Sequence, residues 1–454
     1  MRFRLPSLCG AAVLSLGLGS TTGFSAGFAI QEQSLSGLGN AFAGASASAE
    51  DASTVFFNPA GMALIEKPQI HTGVHYILPE AEFTNLGSTT LTAPTQGGDA
   101  TSDEDAFVPN FYYVGRLNDD LAWGLGLSAP YGLTTDYGED WVGRYVARRT
   151  ELETILVNPS IAYQVDDKWS IGGGASYVMA DAVLSNAIDM GLVFLNQYQA
   201  GGIPMTPETM ALAGDIQANL GSPKYDGGIY LDGDGDGWGF NIGIIYQIND
   251  DWRWGAHYRS EVDLDLSGNA DFTVGALESV LGPAFEDQGG AVDITLPDTF
   301  SFSVYGDVTE RWAVMADVTR TGWSSFQELR IEFENPSPPD SVIPELWEDV
   351  YKYSVGASYK FTDQLTGRVG YAYDESPVPD DEVRSPRIPD EDRQWIALGL
   401  SYAATENLDL HLSYVNIMVD DPVIDNTSHA AGQRLYGVID ASVDLISAGL
   451  TKRF

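Results

Sequence analysis

Beyond its N-terminal leader the chain has no cysteine: Cys9 is the single one in 454 residues. Disulfides, zinc–thiolate sites and cysteine nucleophiles are therefore excluded. Basic residues are also scarce, 23 Lys and Arg against 64 Asp and Glu, for a formal charge of −41. A nucleic-acid partner requires a basic footprint, and none is present. The acidity reads as a solvated, salt-adapted surface, or as divalent-cation bridging to anionic surface lipids. Long apolar runs are missing too. Past residue 26 no window reaches the roughly eighteen apolar residues a transmembrane helix needs. Five scattered histidines and the lack of a G-x-S-x-G turn give no catalytic constellation, so no catalytic residue, metal or cofactor is assigned and the chain reads as a non-enzyme.

What is present begins with Arg2 and Arg4, an apolar run from Leu8 to Gly19 and small residues to Ala26. This predicts an export signal over residues 1–25. Cleavage falls after Ser25, with Gly23 and Ser25 at −3 and −1, or after Ala26. An exported chain without disulfides must draw its stability from a large closed structure.

Glycine and aromatic residues are plentiful, and they fall in alternating stretches. Leu408, Leu410, Leu412 and Tyr414 oppose Asp409, His411 and Ser413. Ile396, Leu398, Leu400 and Tyr402 oppose Ala397, Gly399 and Ser401. Phe454, Leu450, Ala448 and Ile446 oppose Arg453, Thr451, Gly449 and Ser447, with Lys452 alone spoiling the apolar face. In a soluble sandwich the apolar face would be the core. Here the other face is small and polar and aromatics recur at strand ends, the dyad pattern of a lipid-facing barrel. Closure satisfies every backbone group in hydrocarbon. The pattern predicts an all-β fold: a transmembrane antiparallel β-barrel of about fourteen strands over residues 68–454, in the outer membrane of a Gram-negative cell.

Three segments break this rhythm. Residues 26–67 contain TVFFNPAGMALIEKP, too kinked for a long helix and too apolar for a free surface loop. Residues 183–236 read as a long loop whose Thr206-Pro207-Glu208 starts a helix, with Met210, Ala213, Ile216 and Leu220 as its stripe. Residues 274–290 carry Leu277, Val280, Leu281 and Phe285 at helical spacing. Asp232, Asp234, Asp236 and Gly237 begin like an EF-hand loop, but position twelve is Gly243 rather than Glu, so they read as the end of a loop. His71 and His75 lie two strand repeats apart on one face, roughly 13 Å, too far to share a zinc ion.

The stretches AGFAIQEQSLSGLGNAFAG, NPAG, TELETILVNPSIAYQVDDKWSIGGG, WSSFQEL and DESPVP…IPDEDR occur in this order along nearly the whole chain. They resemble the FadL-type long-chain fatty acid transporters of the outer membrane. The resemblance implies a barrel closed by an N-terminal hatch over residues 26–67, with Asn58 and Pro59 in the hatch turn near the ligand pocket. It implies that Phe28 reaches into that pocket and that Arg330, after FQEL, pairs with a ligand carboxylate. It places a lateral gate at GLSAPYGL, where Pro130 lacks an N–H and Gly132 a side chain. A second basic residue of the family falls near Asn186, which weakens head-group recognition here. The implied function is passive, hatch-gated uptake of long-chain fatty acids with lateral release. The implied partners are a fatty acid or similar hydrophobic molecule, outer-membrane lipid and lipopolysaccharide, around a monomer. Aliphatic or aromatic hydrocarbons are the alternative cargo; an outer-membrane hydrolase or a general porin are the other readings.

Overall fold

The computed structural model describes residues 26–430 and 432–454; the expected export signal at 1–25 lies outside the described residues. Among these, fourteen antiparallel strands close into a barrel. In chain order they are β1 (Gln69–Asn85), β2 (Ala106–Arg116), β3 (Leu121–Ser128 and Gly132–Asp136), β4 (Arg149–Gln164) and β5 (Trp169–Asp189). Next come β6 (Asp226–Gln247), β7 (Trp252–Arg259 and Val262–Thr273), β8 (Gln288–Leu296 and Thr299–Asp307) and β9 (Trp312–Thr321 and Glu328–Phe333). The last are β10 (Ser341–Pro344 and Val350–Lys360), β11 (Leu365–Asp374), β12 (Arg393–Thr405), β13 (Leu408–Val419 and Val423–Asn426) and β14 (Gln433–Arg453). The seam between β1 and β14 runs from Gln69↔Arg453 to Asn85↔Gly437 and closes the sheet on itself.

Side-chain alternation sets the two faces. On β12, Leu398 is 52% exposed while its neighbour Ala397 is fully buried. The exposed set forms the lipid belt. Trp169, Tyr246, Trp254 and Phe302 pack ring to ring in sequence toward the short-turn end of their strands, an interfacial girdle.

Residues 26–67 sit inside the barrel as three single-turn helices, α1 (Leu35–Leu38), α2 (Ala45–Ser48) and α3 (Thr54–Phe57), and a 3-10 turn, Pro59–Leu64. Such short helices leave most of their carbonyls without internal partners, and wall arginines supply them. Arg253 Nε donates to Ala47 O at 2.6 Å, Arg259 Nη2 to Phe56 O at 3.0 Å and Arg116 Nη1 to Ile65 O at 2.9 Å. Where the hatch presses closest on the wall, the wall has glycine. A Cβ on Gly243 would sit 1.9 Å from Asn58 Oδ1, and one on Gly255 1.9 Å from Ser46 O.

Two expectations need correction. Residues 183–189 and 226–236 are strand, not loop: Asp232–Gly237 pairs with Val183–Val178 across β5 and β6. Glycine and aspartate favour turns locally, but ladder pairing on both edges overrides that preference, and period-two spacing turns every Asp outward. The predicted helix after Thr206 is α5 (Pro207–Ala218), following α4 (Met190–Gln199). Thr206 Oγ1 accepts the Thr209 N–H at 3.2 Å. Its stripe is narrower than predicted, because Met210 points to solvent while Ala213 and Ile216 are buried. At 274–290 the helix is one turn, α6 (Glu278–Leu281), ended by Gly282-Pro283; Leu277 and Leu281 pack with α4 and α5.

Candidate functional site

The loop between β11 and β12 folds into the barrel instead of out into solvent, and residues 383–390 are all buried. It roofs an apolar cavity of about 810 Å³, including the space at its mouth. Leu152, Leu184, Leu231, Leu266, Ile294 and Leu329 line its wall, on strand segments far from the short turns. Phe28 forms its floor. That ring is 2% exposed and packs among Trp323, Phe326 and Trp347, with ring centroids 4.7, 5.6 and 5.8 Å away.

One guanidinium enters this apolar space. Arg387 Nη1 donates to Thr150 Oγ1 at 3.0 Å and Nη2 to Asn186 Oδ1 at 3.1 Å, while Nε has no partner. Among the described residues no carboxylate lies within ion-pair distance of it. Glu345 lines the same cavity, 2% exposed. Burial pushes its carboxyl up to about 8, with Arg387 pulling the other way. Burial brings the Arg387 guanidinium down to about 10, which Glu345 opposes. A cation held by neutral acceptors, with one N–H unused, has the chemistry to accept an anionic group.

Below Phe28 lies a second chamber of about 730 Å³, open space at its mouth included, lined by Ile30, Phe56, Pro130, Tyr131, Arg259 and Lys352. Beside it the wall is interrupted. The β2–β3 ladder ends at Phe111↔Leu127, and the β3–β4 ladder stops at Ser128↔Leu156 and resumes at Gly132↔Glu153. A groove passes there from buried Val108, Tyr131 and Thr154 to exposed Phe107, Leu127 and Ile155. The hatch backbone closes it: Ile30 N–H donates to Pro130 O at 2.8 Å and Gly132 N–H to Phe28 O at 2.9 Å. Three residues, Phe28 to Ile30, thus separate the upper cavity, the lower chamber and the wall opening.

The other sequence-predicted residues sit elsewhere. Asn58 Nδ2 donates to Ser46 O at 2.6 Å, Ile244 O at 3.1 Å and Ala256 O at 3.3 Å; with Pro59 it fixes the hatch to β6 and β7, outside the lining of the upper cavity. Arg330 also lies outside that lining. It is on the outward face of β9 and pairs with Glu328 at 2.6 Å, both side chains more than 40% exposed.

The family description "Outer membrane protein transport protein (OMPP1/FadL/TodX)" matches residues 16–454. The chain belongs to that family. It is 34% identical over 417 residues to a long-chain fatty acid transport protein of Escherichia coli O6:H1, covering 89% of this chain and 90% of that one. It is 33% identical to outer membrane protein P1 of Haemophilus influenzae, covering 86% and 85%. In structure it matches a Pseudomonas aeruginosa FadL homologue with a TM-score of 0.85 at 25% identity, over 94% of this chain and all of that one. It shares its fold with the Ralstonia pickettii toluene transporter TbuX, at a TM-score of 0.66 and 20% identity over 93% and 98% of the chains. This OMPP1/FadL/TodX member is an outer-membrane β-barrel transport protein.

Within this OMPP1/FadL/TodX chain, sequence reading missed Arg387 although it quoted the motif around it. SPRIPDEDR looks like an exposed charged loop. The signal for burial is its composition: Val383, Ile388 and two prolines interrupt the charges, and Asn186, singled out only by spacing, is the guanidinium's acceptor.

Proposed function

We propose that this protein carries long-chain fatty acids inward by passive diffusion, with the carboxylate received by Arg387 rather than Arg330. The observation that carries the proposal is the single guanidinium in the apolar cavity, with its Nε unpartnered. Burying the alkyl chain stabilises the complex by about 0.8 kcal/mol per CH₂, and the head group adds orientation. The ligand then descends when Phe28 to Ile30 release Pro130 and Gly132, and leaves sideways between β2 and β4 into the membrane. Residues 26–67 are the plug, Asn58 and Pro59 its anchor, and Pro130 and Gly132 the lateral gate. The protein is a transporter rather than an enzyme, and a monomer surrounded by outer-membrane lipid and lipopolysaccharide.

A second reading, transport of hydrocarbons, is favoured by Glu345. Once ionised, above about pH 8, its carboxylate repels a fatty acid and is indifferent to a hydrocarbon. Uptake of radiolabelled oleate and of toluene by a transporter-deficient strain expressing this chain separates the two. Oleate uptake above the empty-vector strain is the expected result. Toluene uptake without oleate uptake puts the hydrocarbon reading in its place.

A further inference from the structure

Three side chains from three separate segments converge below the hatch, away from the cavity and its gate. They are Asp51 of the hatch, His71 of β1 and His411 of β13, each buried. One ligand atom from each lies within 4.8 Å of the others. Asp51 Oδ2 and His71 Nδ1 are 3.3 Å apart, and two ligands on a tetrahedral ion with bonds near 2.0–2.1 Å lie about 3.3 Å apart. His71 Nδ1 and His411 Nε2 both approach Thr451 Oγ1 at 2.9 Å, so the two imidazole nitrogens gather around one hydroxyl oxygen.

Their outer partners orient them for ligation. Ser36 Oγ donates to Asp51 Oδ2 at 2.6 Å, and Ser53 holds Oδ1 through its hydroxyl at 2.7 Å and its amide at 2.9 Å. Ser401 Oγ lies 2.6 Å from His411 Nδ1. It also accepts from Arg368; in the Nδ1–H tautomer its two lone pairs serve both donors, and the bare His411 Nε2 faces Thr451 Oγ1. Such hydroxyl and carboxylate supports fix ring orientation at metal sites. The nearby cation, Arg368, is paired with Glu50, and the buried His71 Nε2 has no partner.

We propose that Asp51, His71 and His411 bind one divalent transition-metal ion of the zinc class, pinning the hatch to both sides of the barrel seam. Two imidazoles and a carboxylate are a zinc-type donor set. All three lie near the short-turn end: His71 is three residues from Pro68, and His411 follows the turn into β13. A metal-free His71–Asp51 contact is the competing arrangement, and zinc binding distinguishes them.

The test uses the purified full-length barrel in detergent, stripped with chelator and dialysed against Zn²⁺, with bound metal read by mass spectrometry. Wild type and His257→Gln, a buried histidine outside the cluster, take up about one ion per chain. Asp51→Asn, His71→Gln and His411→Gln each lose roughly tenfold or more in affinity, in protein whose folding is verified by resistance to SDS at room temperature. Cobalt gives the visible absorption of a tetrahedral site in wild type only. No zinc uptake by wild type, or equal uptake by the folded variants, overturns the site. In planar bilayers chelation raises ion conductance and zinc restores it; indifference to both overturns the pinning.

Discussion

Asp390 Oδ2 accepts the backbone N–H of Gly27 at 2.9 Å. The loop that brings Arg387 into the cavity therefore also holds the start of the hatch, one residue from Phe28. Gly27 has φ +63°, and a Cβ there would meet the Trp347 ring at 2.4 Å, so only glycine lets the chain pass at this point. Arg393 Nη1 holds the other oxygen of Asp390 at 2.9 Å. The Arg387 loop and the start of the hatch are thus tied by the Asp390–Gly27 bond.

Replacing Asp390 tests this link. A hydrogen bond to a charged group contributes about 1.5–3 kcal/mol, so Asp390→Ala raises the population of released N-termini roughly tenfold or more. The readout is more frequent conductance openings in planar bilayers. Asp390→Asn, whose amide oxygen still accepts, stays nearer to wild type.

The hatch anchor gives a second test. Asn58→Ala leaves three carbonyls without the amide that serves them, a loss of about 1–3 kcal/mol for each buried group left unsatisfied. Hatch residues become cleavable by added protease while the strands stay protected. Deletion of residues 26–67 goes further and yields an SDS-resistant barrel with an open, ion-conducting lumen. Conductance equal to that of the intact protein would contradict the plug assignment.

At the gate, Pro130→Val supplies the N–H that the β3 ladder lacks and narrows the groove. Oleate uptake by cells falls, while binding to the purified protein persists. Loss of both together points to a role for Pro130 in the cavity instead.

Much of this was legible in the sequence. The alternation of Ile396, Leu398 and Leu400 against Ala397 and Gly399 marks a lipid face because period two is imposed by the strand itself. The break at Pro130 and Gly132 was legible because both residues act on the backbone. What escaped was long-range. Arg387 is separated from Thr150 by 237 positions, and no local signal tells a charged loop that folds inward from one that stays in solvent. Arg330 lies elsewhere for the complementary reason: FQEL places it by likeness, yet strand parity on β9 sends it outward to Glu328. The Gly-Asp alternation at 232–237 was read as loop because its ladder partners lie outside any local window.

Glu345 makes the site sensitive to pH. Its carboxyl is held up at about 8, against an ordinary 4.5, first by burial. A raised acid is favoured by the fold when neutral. Its contribution to stability is full below about 4.5 and is lost as pH rises through about 8. Over the upper part of that window the neutral acid becomes a carboxylate beside Arg387 and repels the ligand's own charge. Oleate affinity falls between pH 7 and 9 in wild type and stays level in Glu345→Gln, as followed by fluorescence displacement at each pH.

The central claim is that Arg387 receives a carboxylate in an apolar cavity, and calorimetric titration of Arg387→Met tests it most directly. Oleate and the uncharged alcohol of equal length are compared on wild type and variant, both verified as folded barrels. A charge-assisted bond of about 1.5–3 kcal/mol corresponds to a ten- to hundred-fold weakening of oleate. The alcohol changes little, because the chain is still buried. Equal losses for acid and alcohol, or no loss for either, would contradict the claim and leave Arg387 a structural support of the inward loop.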